Sequence, residues 1–360
     1  MTPRGRLVAL AAATLAAGCF SPEAREGLAC SEDGLCPPGQ SCESGVCQGG
    51  APVADAAAAS DGAAGADAAP DNAPPPFGPV EPVILTCPGL IVCADVRDPF
   101  LNAELTTILF SYAVTMPAGN QDLYVATRVG KGAFSPATSV GAVNTELAEH
   151  TPFLSGDGSS LWFARQDVSG GSETRPYDEI LLSVRESGRF ETAQPVAGAV
   201  NTSLGDERSP QVFSGGGSML FTRSAEKSPG DHDVYLARFE GGQWNTIERL
   251  VGLSAEGADE RSLSLVEERR AIFFIRDDQI HEVIWAGEDA SSLVAHVVHD
   301  ELDADPIDLK LGVWSSADGT EVWFDSNRSG AQQIYRAVRA LPTSWRKGSS
   351  GGRIRRRPIR

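Results

Sequence analysis

A short apolar strand ending in phenylalanine recurs five times along the chain, and this recurrence limits the fold more than any other feature. Thr106-Thr107-Ile108-Leu109-Phe110, Ser160-Leu161-Trp162-Phe163, Ser218-Met219-Leu220-Phe221, Ala271-Ile272-Phe273-Phe274 and Glu321-Val322-Trp323-Phe324 align on their last residue, at intervals of 53, 58, 53 and 50 residues. A second strand follows each: Asp122-Leu123-Tyr124, Glu179-Ile180-Leu181, Asp233-Val234-Tyr235, Gln279-Ile280-His281 and Gln333-Ile334-Tyr335. Turns such as Ser155-Gly156-Asp157-Gly158, Ser214-Gly215-Gly216-Gly217 and Ser316-Ala317-Asp318-Gly319 come before the phenylalanine strand. Asp-Gly and Gly-Gly pairs accept the positive φ of tight hairpins, so each turn joins two antiparallel strands. Three or four strands in about fifty residues make one propeller blade. The expected fold is all-β, a β-propeller of five to six blades.

The repeat resembles a known one. Thr151-Pro152-Phe153-Leu154-Ser155-Gly156-Asp157-Gly158-Ser159-Ser160-Leu161-Trp162-Phe163 is similar to the Pro-x-Phe-Ser-Pro-Asp-Gly-x-x-Ile-x-Phe repeat of TolB-like propellers, the WD40-like PD40 repeat. Ser209-Pro210-Gln211-Val212-Phe213-Ser214 opens another copy, and Phe324 to Tyr335 matches the Ser-x-Arg-x-Gly-x-x-x-Ile-Tyr half. Two units depart from the pattern: Glu267-Glu268-Arg269-Arg270 replaces the Asp-Gly turn before Phe274, and the unit around Phe110 has no clear opening turn. The resemblance implies six blades where five are visible. Pro82-Val83-Ile84-Leu85 and Leu90-Ile91-Val92-Cys93 are therefore expected to complete a terminal blade, because an open ring leaves a long unpaired edge.

The N-terminus reads as an address. Arg4 and Arg6 precede an apolar run, Leu7 to Ala17, too short to span a bilayer, which ends in Leu15-Ala16-Ala17-Gly18-Cys19. This resembles a lipoprotein signal peptide, with Ala16 standing where leucine is usual. The resemblance implies lipidation at Cys19 and, with Phe20 next, an outer-membrane address in the cell envelope. Six cysteines remain, an even set suited to an oxidising compartment. Cys30, Cys36, Cys42 and Cys47 lie in a stretch with almost no apolar residues, where disulfides must supply the order, and Cys87 and Cys93 flank a Pro-Gly turn. Spacings of five, five and four argue against zinc, whose ligands come as close pairs. The domains expected are a signal peptide (1–18), a Cys-rich segment (19–48), an Ala/Pro/Asp/Gly-rich linker (49–79), the propeller (80–340) and a basic flexible tail (341–360).

Charge and motifs then narrow the function. Net charge is −18, and the last fifteen residues carry seven cations and no acid, so the remainder carries −18 − 7 = −25. Such acidity disfavours nucleic acid as partner. No Gly-x-Ser-x-Gly occurs. Ser316-Ala317-Asp318-Gly319-Thr320-Glu321-Val322-Trp323 superficially resembles a sialidase turn motif, but its glycine follows the aspartate directly, as in an ordinary hairpin turn. His150, His232, His281, His296 and His299 read mostly as surface residues without partners. The acidic run Asp300, Glu301, Asp303, Asp305 and Asp308 lacks a loop glycine and a terminal bidentate glutamate, so it reads as solvated loop rather than a metal site. No catalytic residue, metal site or cofactor is assigned. The expected function is a noncatalytic envelope lipoprotein presenting its propeller to a protein or surface polymer. The rival is a propeller glycosidase or lyase with acidic residues at the axial channel, distinguished by two facing carboxylates, or a carboxylate with an arginine, at the channel mouth. Length variation in Met116 to Gln121, Val168 to Asp178 and Ala225 to Asp233 places the expected functional face at the loops behind the phenylalanine strands.

Overall fold

The computed structural model describes residues 41–43, 46–48, 74–88, 93, 95–113, 120–130, 133–172, 175–203, 205–224, 231–285, 293–303 and 308–340, without the side chains of 41–48, 167–176, 285 and 293–295. Residues 1–67 and 68–360 form two separate units. In the first, Ser41–Glu43 and Val46–Gln48 make a hairpin that sets Cys42 opposite Cys47. Cys19, Cys30, Cys36, residues 49–73 of the expected linker and the basic tail lie outside the described residues. Residues 74–79, expected as linker, belong instead with the propeller, where Phe77 is buried and the Gly78 N–H donates to the Val338 carbonyl at 2.8 Å. No described helix is long and apolar enough to cross a membrane.

The second unit is a five-bladed β-propeller of antiparallel sheets. From the axis outward, blade 1 has strands Val96–Leu101, Thr107–Ala113, Gln121–Gly130 and Ala133–Phe134. Blade 2 has Glu149–Leu154, Ser160–Ser172, Arg175–Glu186 and Arg189–Phe190, and blade 3 has Asp206–Phe213, Ser218–Ser224, His232–Glu240 and Gln243–Arg249. Blade 4 has Glu260–Val266, Ala271–Arg276, Gln279–Trp285 and Leu293–Val298. Blade 5 has Val313–Ser315, Glu321–Ser326, Gln333–Val338 and, outermost, Glu81–Pro82. Innermost strands neighbour one another in that order, and the fifth returns to the first.

Each second strand is covered on both faces by adjoining blades, so alternation gives way to nearly continuous burial. Phe110, Phe163, Phe221, Phe274 and Phe324 all have no exposed surface. The aberrant turn before Phe274 still forms, as a short 3-10 turn ending in Arg270 with φ 52°.

Five blades close the ring, one fewer than the repeat resemblance implies. The ring shuts as expected from residues 82–85: Pro82 pairs with Tyr335, Glu81 with Arg336, and the Val83 N–H donates to the Ile334 carbonyl at 2.9 Å. An outermost strand tolerates a proline, since the lost N–H would have pointed to solvent. Residues 90–92 lie outside the described residues. Cys87 and Cys93 form the expected disulfide.

A buried latch secures this closure. Arg339, fully enclosed, donates to both oxygens of Glu282 in blade 4 (2.6 and 2.8 Å) and lies over the ring of Phe77 at 4.4 Å. The Phe77 N–H donates to Glu301 at 2.9 Å, and His299 sits between Glu282 and Glu301 at 3.1 and 2.9 Å. Both ends of the propeller chain thus converge on one set of blade 4 side chains.

Candidate functional site

The axis is built by a repeated kink. Asp98, Thr151, Ser209 and Ser262 occupy the same place in four innermost strands, each with φ near 50° and each beside a break in register. Such bulges bend the strand and turn its backbone toward the next blade. Thr151 N–H donates to Asp98 Oδ2 (3.3 Å), Ser209 N–H to Thr151 Oγ1 (3.1 Å), Val313 N–H to Ser262 Oγ (2.8 Å) and Asp98 N–H to Asp325 Oδ2 (2.9 Å). Leu265 N–H to Gln211 Oε1 at 3.5 Å supplies the remaining junction. In blade 5 the corresponding residue is Gly312, where a Cβ would stand 2.5 Å from the Asp98 Cα. The waist these residues surround holds only about 20 Å³, room for one water.

Beyond the waist, on the side of the loops behind the phenylalanine strands, the preceding residues are Arg97, His150, Arg208 and Arg261. Each has an acid: Arg97 meets Asp95 at 2.9 Å, Arg208 meets Asp178, Arg261 meets Asp259 and Asp278 at 3.1 and 3.0 Å, and His150 meets Asp178 at 3.2 Å. Burial opposes ionisation of Asp178, but the His150 and Arg208 charges outweigh it and hold the carboxyl well below its usual range. A carboxylate beside an arginine therefore stands at this mouth. Of the loops expected to build this face, residues 114–119 and 225–230 lie outside the described residues. The stretch read as a loop from Val168 to Asp178 is instead a prolongation of two paired strands, with Asp167 opposite Tyr177 and Ser172 opposite Arg175.

At the opposite end the axis widens into a funnel of about 310 Å³ to which all five blades contribute. Its walls are apolar: Phe100, Leu101, Phe153, Leu154, Val212, Phe213, Leu265 and Trp314. Phe100 meets Phe153 and Trp314 edge-on, at 5.4 and 6.4 Å between centroids. Asn102, Ser155, Glu267 and Glu268 form a polar rim. This funnel opens on the face opposite to the one the loop lengths suggested.

A recurrent ion pair, unseen in the sequence, organises three blades. Arg165, Arg223 and Arg276 follow the repeat phenylalanine by two residues, lie over its ring at 5.4, 5.2 and 5.2 Å, and pair with Glu149, Glu207 and Glu260 at 2.8, 3.0 and 2.7 Å. Each arginine also donates to a carbonyl of the preceding interblade link: Val143, Val200 or Leu253. Burial raises all three carboxyls despite these partners, Glu207 to about 7. Recurrence in three blades marks them as framework, and the constant spacing of sixteen residues between Glu and Arg was the available signal. Asp325 is likewise pushed up to about 7, by burial and by Asp98, and has no exposed surface.

The histidines correct their surface reading. His299, His232 and His281 are 1, 4 and 5 % exposed, because each finds a polar partner that comes from elsewhere in the fold. His232 Nδ1 lies 2.8 Å from Asp259, and His281 Nδ1 lies 2.7 Å from His296 Nε2. The acidic run is also less solvated than expected. Asp303 and Asp308 hold the buried Lys310 at 2.6 and 3.2 Å, Asp308 also holds Arg328 at 2.7 Å, and Asp305 lies outside the described residues. Among the described residues no three ligating side chains converge as a metal site. Ser316 to Gly319 forms the hairpin turn expected of it, with Ser316 N–H donating to Glu321 O at 2.9 Å.

No family model matches the sequence, and no curated protein matches it. Among solved structures the chain is similar to a putative TolB from Agrobacterium tumefaciens, at 16 % identity over 65 % of this chain and 70 % of that one, with a TM-score of 0.41. It is similar also to an endo-arabinase from Bacteroides thetaiotaomicron (10 %, 73 % and 99 %, TM-score 0.44). An α-L-arabinofuranosidase from Podospora anserina gives 9 %, 73 % and 96 %, with a TM-score of 0.43. The likeness to TolB is one of fold.

Proposed function

We propose that the chain is a noncatalytic cell-envelope lipoprotein, tethered through Cys19, whose propeller binds a protein partner at the apolar end of its axis. The observation that supports this most is the funnel, where aromatic and aliphatic walls from five blades surround about 310 Å³ under a polar rim. Concave apolar surface with a few polar groups at its edge is where binding energy concentrates. Glu149, Glu207, Glu260 and Asp325, carboxyls that burial raises, are enclosed and committed to the framework; Asp122, also raised by burial, is only partly buried.

The test is crosslinking in intact envelopes followed by affinity capture, comparing the native chain with Ala103→Arg and Ala317→Arg, both at the exposed rim. The partner should be lost with either variant and retained with substitutions on the opposite face. Retention with both rim variants sinks the funnel as the binding surface. For the anchor, Cys19→Ser should release the chain from the membrane fraction and abolish the added lipid mass.

One observation favours a second reading as a propeller glycosidase: Asp178, with Arg208 and His150, stands at the other axial mouth. Its depressed pKa suits a base or nucleophile, whereas glycoside hydrolysis also needs a protonated acid. Hydrolysis of aryl glycosides that disappears in Asp178→Asn would establish that reading over the first.

A further inference from the structure

The run Gly-Ala-Val-Asn-Thr occurs twice, at 141–145 and at 198–202. Both copies link the outer edge of one blade to the innermost strand of the next. Their asparagines act identically: Asn144 grips the N–H and C=O of Leu123, and Asn201 those of Ile180, all at 2.8 to 2.9 Å. What differs is what meets the glycine.

Between blades 2 and 3, the outer hairpin of blade 3 brings Trp244 onto Gly198. Trp244 N–H donates to Ala197 O at 2.9 Å and Ala199 N–H to Trp244 O at 2.7 Å, a one-residue parallel bridge. A Cβ on Gly198 would fall 2.1 Å from the Trp244 oxygen, so only glycine allows the approach. Blades 5 and 1 are joined in the same manner, by a parallel bridge from Ile84 to Ala133.

At the junction of blades 1 and 2 the corresponding hairpin residue is Phe190, opposite Arg185 as Trp244 is opposite Phe239. It does not reach Gly141, whose Cβ position has nothing within 4 Å. The gap is a cavity of about 470 Å³ walled by Leu109, Val125, Val140 and Phe190. The two groups that would make the bridge, Val140 C=O and Ala142 N–H, have no hydrogen-bond partner among the described residues. Arg185 and Arg189 also line the cavity, Arg185 lying over the Phe190 ring at 4.4 Å. Unlike Arg165, Arg223 and Arg276, neither has a carboxylate partner among the described residues, in a chain of net charge −18.

We infer that this open junction is a docking slot for an extended segment of a partner protein that carries an aromatic residue flanked by carboxylates. The segment does for blades 1 and 2 what Trp244 does for blades 2 and 3: it bridges Val140 and Ala142 through its backbone and places its ring in the cavity. Its acids meet Arg185 and Arg189. Backbone bridging gives such a complex its affinity, and the side-chain pocket its selectivity. The slot shares only Leu154 with the axial funnel and stands independently of it.

The probe is a fluorescein-labelled peptide copying residues 242–246, Gly-Gln-Trp-Asn-Thr, with two aspartates added at each end. It is titrated with the full chain and followed by fluorescence anisotropy. Saturable binding is expected, weakened about tenfold by N-methylation of the tryptophan amide, which removes one hydrogen bond. Arg185→Gln with Arg189→Gln should weaken it by a similar factor and flatten its salt dependence, with an unchanged urea midpoint showing the fold intact. Replacing the peptide's tryptophan by alanine should abolish binding, whereas Ala103→Arg at the funnel rim should leave it unaltered. No saturation by about 1 mM overturns the inference. So does insensitivity to either the N-methyl group or the arginine pair, which places the peptide elsewhere or reduces the cavity to a small-molecule pocket.

Discussion

Replacing Arg339 by methionine tests how the ring is held shut. The native guanidinium is fully enclosed, spans both oxygens of Glu282 and donates to the Gly319 carbonyl at 2.8 Å, with Phe77 and Phe273 against its plane. Removing it leaves Glu282, also without exposed surface, facing only His299 and the more distant Arg269 at 3.9 Å. Breaking one side of a buried pair costs about 3 to 5 kcal/mol, most of it from the charge left behind. For a domain of this size that lowers Tm by roughly 6 to 20 °C. The double variant Arg339→Met, Glu282→Met removes both charges and should recover at least about 1 kcal/mol relative to the single variant. Urea unfolding followed by tryptophan fluorescence measures both, and proteolysis before Phe77 reports release of the closing strand. A single-variant loss below about 1 kcal/mol, or a double variant as unstable as the two singles added together, refutes the latch.

Other outcomes follow from the same geometry. Gly312→Ala forces a methyl group onto the Asp98 backbone at 2.5 Å and should cost about 1 to 3 kcal/mol by urea titration, whereas Gly330→Ala, with nothing nearby, tests only its left-handed backbone. Hydrogen bonds to Glu282 and Glu301 raise His299 above its ordinary value in spite of burial, so its stabilisation is complete below about pH 6.5 and is lost as pH rises through the raised pKa. His299→Gln should abolish that alkaline decline in the urea midpoint. His281 runs the other way: burial first, then His296, depress it to about 4, so stability falls as pH drops from about 6.5 toward 4. His281→Tyr, which restores the residue of blades 1, 3 and 5, should flatten this acid limb. Deleting residues 81–95 should destabilise the whole propeller, and deleting residues 347–360 should leave Tm unchanged; the reverse pattern overturns the closure scheme.

What was legible in the sequence was whatever repeats within one blade. The five phenylalanine strands, their turns and the partner strands all stand where the spacing put them, because a strand buried on both faces must be apolar over nearly its whole length. The closing strand was legible too, from the unpaired edge it had to cover. The blade total was less so, since the repeat itself does not state how many copies close a ring. The funnel was hidden because Phe100, Phe153 and Trp314 lie far apart in the chain and meet only at the axis. The buried histidines were misread for a similar reason: His232 depends on Asp259, and His299 on Glu282, across strand and loop boundaries. The repeated Gly-Ala-Val-Asn-Thr lies in the links between blades, outside the register that the phenylalanines define.

The outermost strand of blade 5 imposes an order of events on folding. Phe77 and Glu301, joined by a hydrogen bond, are 224 residues apart, and Pro82 waits for Tyr335. A chain that emerges N-terminus first therefore carries its closing strand as an orphan until the last blade has followed it. Four blades can assemble as they appear, but the circle itself is completed in a single late step, with the loop-closure entropy of nearly the whole domain deferred to that moment. Until then the partly built arc exposes a sheet face at each end, both apolar, and the interval before the clasp snaps home is when the protein is most open to association with other chains.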